Sequence, residues 1–228
     1  MLIGNYKKTI SKFIDRGYQF IDFNQIDQKK DLQIILRHDI DLDINIALEM
    51  AKIENKLNIN STYFFLLTNE SYNLISEENL GYVKKIRDLG HSISLHFDIA
   101  IYKNAKKGLD IESAIFNKIF EEDINIISIH RPSEDFLKNP LNYFSLATSY
   151  DEKFTKNINY FSDSGGSFKY GHPIDSKVFK KGLNIQLLIH PIWWINSKNS
   201  INETVNNMIN NKKELLKAHF QKNIKTFK

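Results

Sequence analysis

Apolar residues first recur at helical spacing over residues 5–16, where Tyr6, Ile10, Phe13 and Ile14 share one face and Gly17 breaks the pattern. Residues 18–23 read as extended. Leu32 to Leu36, interrupted only by Gln33, is a compact apolar block that predicts a buried strand. Helical period returns over 44–56, with Ile46, Ala47, Met50, Ile53 and Glu54 in register and Asp43 placed to cap the N-terminus. The β-branched and aromatic run 61–67 predicts a strand, 76–88 a helix opened by Ser76, and 92–96 another strand. A helix over 109–120, a strand over 125–129 and a short helix over 134–139 follow. Short strands are expected within 143–150 and 158–161, a stronger one over 183–189, and a last polar helix over 201–222.

Strand and helix alternate along most of the chain, which predicts an α/β fold with a parallel sheet flanked by helices. The number of strands suits a closed or nearly closed (β/α) barrel better than a short open sheet. One domain over 1–228 is expected, with 1–31 as an N-terminal helix and lead-in and 200–228 as the polar C-terminal helix. The unusual polar residues fall just after strands: Arg37 to Asp41, His96 to Asp98, His130 to Ser133, Asp163, and His190 to Trp194. In parallel α/β folds the carboxyl ends of the strands lie on one face, so these separated clusters converge in space.

Composition narrows the chemistry. The 228 residues are 42% hydrophobic and 25% charged, an ordinary globular balance. The absence of cysteine rules out disulfides and a thiolate nucleophile, so a transition metal is left with His, Asp or Glu as ligands. A net charge of +4 from scattered lysines does not argue for nucleic acid, and the lysines of the last helix read as a solvated face. No apolar window is long enough for a transmembrane span. Met1 to Lys8 lacks the apolar core of a secretory leader, so a cytoplasmic protein is expected.

Asp39 and Asp41, two apart on an extended chain, point to the same side. Like charges so placed repel unless a metal or a shared proton intervenes, so one can hold a metal while the other takes a proton from water. His96 closes a strand and projects at the same face, with Asp98 as a further ligand or an orienting partner. His91, at the other end of that strand, reads as structural. His130 can complete a metal site, and Arg131 can pair with a catalytic carboxylate. Asp163 lies in a turn-like Asp-Ser-Gly-Gly segment. His190 reads as an acid–base residue beside Trp193 and Trp194, whose faces suit sugar rings.

The ordered motifs resemble the NodB-homology polysaccharide deacetylases, in the divergent branch found among surface-polysaccharide biosynthesis proteins. Leu36-Arg37-His38-Asp39-Ile40-Asp41 is similar to the family's Asp-Asp or Asp-x-Asp element, and Ser61 to Phe65 to its Ala-Thr-Phe-Phe strand. Gly90 to Asp98 resembles the Gly-His-Glu-Ile-Gly-x-His segment, His130-Arg131-Pro132 the Arg-Pro motif, Asp163 the later Asp loop, and Leu188-Ile189-His190 the Leu-x-His motif. The resemblance implies a distorted (β/α) barrel, a divalent metal (zinc expected), and removal of an acyl group from an amino sugar. It implies Asp39 as base, His190 as acid, Arg131 as orienter of the base, and Asp41 and His96 as metal ligands. Arg37, Asp163, Trp193 and Trp194 are assigned to substrate. The family's second metal histidine falls at Ala100 here, which leaves His130 or Asp98 as the third ligand, or a weakened or absent metal. The rival readings are a sugar-binding descendant without turnover and a carboxylate-pair glycosidase.

Overall fold

The structure, a computed structural model, describes residues 3–138 and 144–227. The end of the short helix expected over 134–139 and the start of the strand expected from Tyr143 lie outside them. Helix α1 (Tyr6–Arg16) is capped by the Asn5 side chain and ends at Gly17, whose φ of 92° is left-handed and costs glycine little. Strands β1 (Gln19–Phe20), β2 (Gln33–Ile40), β3 (Thr62–Leu66), β4 (Ser92–Asp98), β5 (Ile126–His130), β6 (Ala147–Thr148), β7 (Asn159–Ser162) and β8 (Ile185–Ile189) form one sheet. Its path is β6-β5-β4-β3-β2-β8-β7, with β1 paired to the first residues of β2, and every pairing is parallel. Helices α2 (Ile44–Lys56), α3 (Glu77–Asp88), α4 (Ala105–Phe120) and the shorter α5 (Glu134–Lys138), α6 (Glu152–Thr155) and α7 (Lys177–Lys181) connect them, and α8 (Ile201–Asn223) ends the chain. The predicted alternation is therefore present, although β2 runs four residues past Leu36 and α4 begins four residues before 109.

The sheet curls into a distorted barrel. Alternation within the strands assigns the two faces. In β4, Ile93, Leu95 and Phe97 join the outer core, while Ser94 and His96 face inward. Inside the curl, Phe23, Ile35, Phe64, Ile126, Phe154 and Ile158 pack as a separate apolar plug. The seam between the β6 and β7 ends carries no backbone pairing among the described residues. Side chains bridge it instead: Gln186 Nε2 of β8 donates to Ser149 O (3.1 Å) and Phe154 O (2.7 Å). Arg37 Nη1 reaches Ser149 Oγ, and Nη2 donates to Tyr150 OH at 3.1 Å.

A second polar centre lies on the outer face, where β2 and β3 meet α1 and α2. Glu54, on the apolar face of α2, is fully buried. Its carboxylate accepts from Tyr6 OH, from Ser61 Oγ (2.7 Å) and from Tyr63 OH (2.8 Å), and lies 2.7 Å from His38 Nε2. His91 stands behind, its Nδ1 3.2 Å from Ser61 Oγ and its Nε2 3.2 Å from Ala51 O, in the structural position expected for it. A charge so enclosed is tolerable because all of its lone pairs are engaged.

Candidate active site

The carboxyl ends of β2, β4, β5 and β8 open into a cavity of about 750 Å³, within the range of small-molecule sites. Asp39, Asp41, His96, Asp98, His130, Arg131, His190 and Trp193 all line it. Pleating explains the selection. Arg37, Asp39 and Asp41 alternate with His38 and Ile40, so the odd positions turn into the barrel while His38 turns out to Glu54.

Asp39 is 2% exposed. Its Oδ2 accepts from Arg37 Nη2 at 2.9 Å and Ser128 Oγ at 3.0 Å. Its Oδ1 is buried and has no hydrogen-bond partner among the described residues. Burial opposes ionisation of Asp39, but the Arg37 guanidinium, aided by His96 and His190, outweighs it and holds the carboxyl below its usual range. One oxygen is thus tied to a cation while the other is left for a proton or a ligand.

Arg37, and not Arg131, holds this carboxylate. The expected substrate role of Arg37 is corrected: its side chain is fully buried beneath the cavity floor and occupied by Asp39, Tyr150, Ser149 and Gln186. The expected pairing of Arg131 is corrected as well. Arg131 sits in left-handed backbone (φ 48°), is exposed, and forms no ion pair among the described residues. The turn after β5 directs it to the rim, whereas Arg37 lies two residues before Asp39 on the same strand face. That i, i+2 relation is the signal by which sequence alone identifies the partner.

Asp41, His96 and His130 bring one ligand atom each to within 4.8 Å of one another. Asp41 Oδ1 is 3.2 Å from His96 Nε2 and has no hydrogen-bond partner among the described residues. Two ligands on a tetrahedral zinc stand about 3.3 Å apart when each bond is about 2.0 Å. Burial resists ionisation of Asp41 also, but His96, with His190 and His130, lowers its carboxyl to about 2. The two-histidine, one-carboxylate donor set, with orphaned buried oxygens on Asp39 and Asp41, fits a divalent cation such as zinc.

The alternatives for the third ligand separate on geometry. Asp98 Oδ1 accepts from Ala100 N at 2.9 Å, and Oδ2 lies 3.0 Å from His130 Nδ1. Both oxygens are engaged, and the second fixes the His130 ring, as carboxylates do behind metal-binding histidines. Ala100 stands exposed in a 3-10 turn after β4 (Ile99–Ile101). His130 comes from the next strand, in register with Asp98.

His190 faces this cluster from β8. Its Nδ1 is 2.6 Å from Asp163 Oδ1, and its Nε2 is 3.7 Å from Asp41 Oδ2. Asp163 is fully buried, accepts from the His190 backbone N–H, and takes Trp194 Nε1 on Oδ2 at 2.7 Å. Burial disfavours the imidazolium of His190, but Asp163, with Asp41 and Asp39, pushes its pKa up to about 9. The substrate roles expected of Asp163 and Trp194 are both corrected. Asp163 positions His190, and Trp194, 1% exposed and edge-on to Tyr6, is a core residue that fixes Asp163. Two left-handed glycines, Gly165 and Gly166, turn the chain sharply after Asp163. Trp193 alone of the pair lines the cavity.

No protein-family model matches the chain, and no curated protein matches it. Among solved structures the chain is similar to a family 4 carbohydrate esterase from Bacillus anthracis, at 15% identity over 90% of this chain and 84% of that one, with a TM-score of 0.45. It is similar to the chitin deacetylase of Colletotrichum lindemuthianum at 13% identity, 78% and 81% coverage and TM-score 0.44. It is also similar to BA3943, a family 4 pseudoenzyme from Bacillus anthracis, at 17% identity, 80% and 60% coverage and TM-score 0.41. Likeness at this level bears on no residue's role; the roles rest on the geometry above.

Proposed function

We propose that this protein is a metal-dependent hydrolase that removes an N-acyl group, acetyl in the first instance, from an amino sugar of a surface-polysaccharide precursor in the cytoplasm. The observation that carries the reading is Asp39 Oδ1, which has no hydrogen-bond partner among the described residues, on a residue that lines the cavity with Asp41, His96 and His130 and with a histidine held cationic by Asp163. Asp41, His96 and His130 would hold the ion. When bound, such an ion acts as a Lewis acid toward the amide carbonyl and a water.

The chain's own groups supply the proton traffic. Asp39, kept ionised by Arg37, accepts a proton from water at Oδ1. His190 carries a proton at neutral pH and presents Nε2 to the cavity, where it can be passed to the departing amine nitrogen. Asp163 keeps the ring in that orientation. Trp193 offers an apolar wall for a pyranose face, and Arg131 stands at the rim.

Incubation with zinc and N-acetylated amino sugars, free and oligomeric, is expected to release primary amine. Binding of the same sugars with no amine formed would replace this reading with that of a sugar-binding descendant.

Metal content gives a separate check. Elemental analysis after zinc loading is expected to find one zinc per chain. His96→Ala and His130→Ala are expected to lose it, Asp98→Ala to weaken it about 10- to 100-fold, and His91→Ala to retain it. Retention of full zinc affinity by His130→Ala would remove His130 from the ligand set.

A further inference from the structure

The last helix is unlike the rest of the molecule in both charge and exposure. Residues 201–228 hold six lysines and two glutamates, a net +4 that equals the charge of the entire chain. The other 200 residues carry 25 basic and 25 acidic side chains and are neutral overall. The basic excess is therefore confined to this segment, α8 and the residues that follow it.

That segment is anchored at one end and exposed over the other. Its first turns pack on the 3-10 turn Pro191–Trp193, Thr204 is buried, and Lys212 reaches Asp43 at 3.4 Å. From Lys213 onward every described residue is exposed. Beyond the contact with the body, the helix and the residue after it carry uncovered apolar side chains. Leu215 is 63% exposed, Leu216 54%, Phe220 44% and Ile224 47%. The chain turns back after the helix so that Phe227, 43% exposed, lies edge-on to Phe220 at 6.3 Å, which extends the apolar tip. At about 100° per residue, Leu216 and Phe220 lie about 40° apart on the helix; Lys213 and Lys217 fall about 20° and 60° beyond Phe220, and Lys222 lies on the other side, beside Leu215.

We infer that the exposed half of α8 docks on the surface of an anionic lipid bilayer, with its apolar side chains at the headgroup–acyl boundary and its lysines over lipid phosphates. An apolar face of Leu, Ile and Phe bordered by lysine is the pattern of helices that lie in that plane. No described helix is long and apolar enough to cross a membrane, so the contact is peripheral. Charge argues against a second copy of this chain as the occupant. Two such helices side by side would oppose their lysine flanks, with only Glu203 and Glu214 on each to compensate. The inference is independent of the chemistry proposed for the cavity.

Co-sedimentation of the full chain with vesicles of phosphatidylcholine alone, and of equal parts phosphatidylcholine and phosphatidylglycerol, tests it. The unaltered protein is expected to partition onto the anionic vesicles at least about tenfold more strongly, and the difference should shrink as salt is raised. Replacing Lys213, Lys217 and Lys222 by Gln is expected to lower that partition roughly a hundredfold. Leu216→Gln with Phe220→Gln should lower it at constant charge, and circular dichroism should show the helix intact at these exposed sites. Equal partition onto both vesicle types, no partition onto either, or indifference to the Leu216 and Phe220 changes would overturn the inference. So would a concentration-dependent dimer that Leu216→Gln dissociates.

Discussion

Asp39→Asn is expected to lower kcat on an N-acetylated amino sugar by about 10²- to 10⁴-fold, the range that positioned general bases contribute. The substitution is nearly isosteric. The amide oxygen can still accept from Arg37 Nη2 and Ser128 Oγ, as Oδ2 does now at 2.9 and 3.0 Å. What changes is the second oxygen: Oδ1 has no hydrogen-bond partner among the described residues, and an amide N–H₂ in its place would donate instead of accept. Zinc content should persist, because Asp41, His96 and His130 are untouched. Arg37 loses its buried counter-charge, so the melting temperature will fall and the assay belongs well below it. A variant that keeps both zinc and turnover would exclude Asp39 as the base.

The largest expected effect on stability lies on the opposite side of the sheet. Glu54→Ala would leave Tyr6 OH, His38 Nε2, Ser61 Oγ and Tyr63 OH buried without their common acceptor. Breaking a buried charge network by removing one partner costs about 3–5 kcal/mol. In a domain of this size that lowers the melting temperature by roughly 10–15 °C. Glu54→Gln should cost less, since its oxygen still accepts and the hydroxyls can rotate.

Glu54 also predicts an acid limb. Burial raises its carboxyl, but His38, His91 and the Tyr6 hydroxyl outweigh it and bring it from 4.5 down to about 2. The folded value is depressed, so the stabilisation is complete above 4.5 and is lost as pH falls toward 2. Its full size is about 3 kcal/mol. Urea titrations from pH 6 to pH 2 should show this loss in the unaltered protein and a shallower one in Glu54→Gln. Parallel acid limbs in the two would place the linkage elsewhere.

Much of this architecture was legible in the chain because it rests on local pattern. Alternating strand and helix predicted the parallel sheet, and the polar residues at strand ends predicted where the cavity opens. Asp43, just before the helical run, caps α2 as its position predicts: its Oδ1 accepts from Asn45 N and Ile46 N. Strand periodicity placed Asp39 and Asp41 on one side, and the same rule links Arg37 to Asp39. The motif resemblance favoured Arg131, which the turn after β5 carries outward.

What sequence could not decide depends on contacts between segments far apart in the chain. Trp193 and Trp194 are adjacent and chemically alike, but the turn after β8 opens one to the cavity and buries the other on Asp163. Asp163 lies 27 residues before the His190 that it holds. Glu54 falls at helical spacing with apolar residues of α2, and its partners Tyr6, His38, Ser61 and Tyr63 come from other segments.

By itself, then, the sequence determined the strand and helix order, the face on which the chemistry gathers, and the residue types available there, because backbone periodicity and burial are set locally. Only the tertiary structure decided which third side chain stands with Asp41 and His96. Ala100 stands exposed in the turn after β4, and the parallel register of β4 with β5 brings His130 beside His96 with Asp98 behind it. Register between strands is fixed by the packing of the whole sheet, which no single segment encodes.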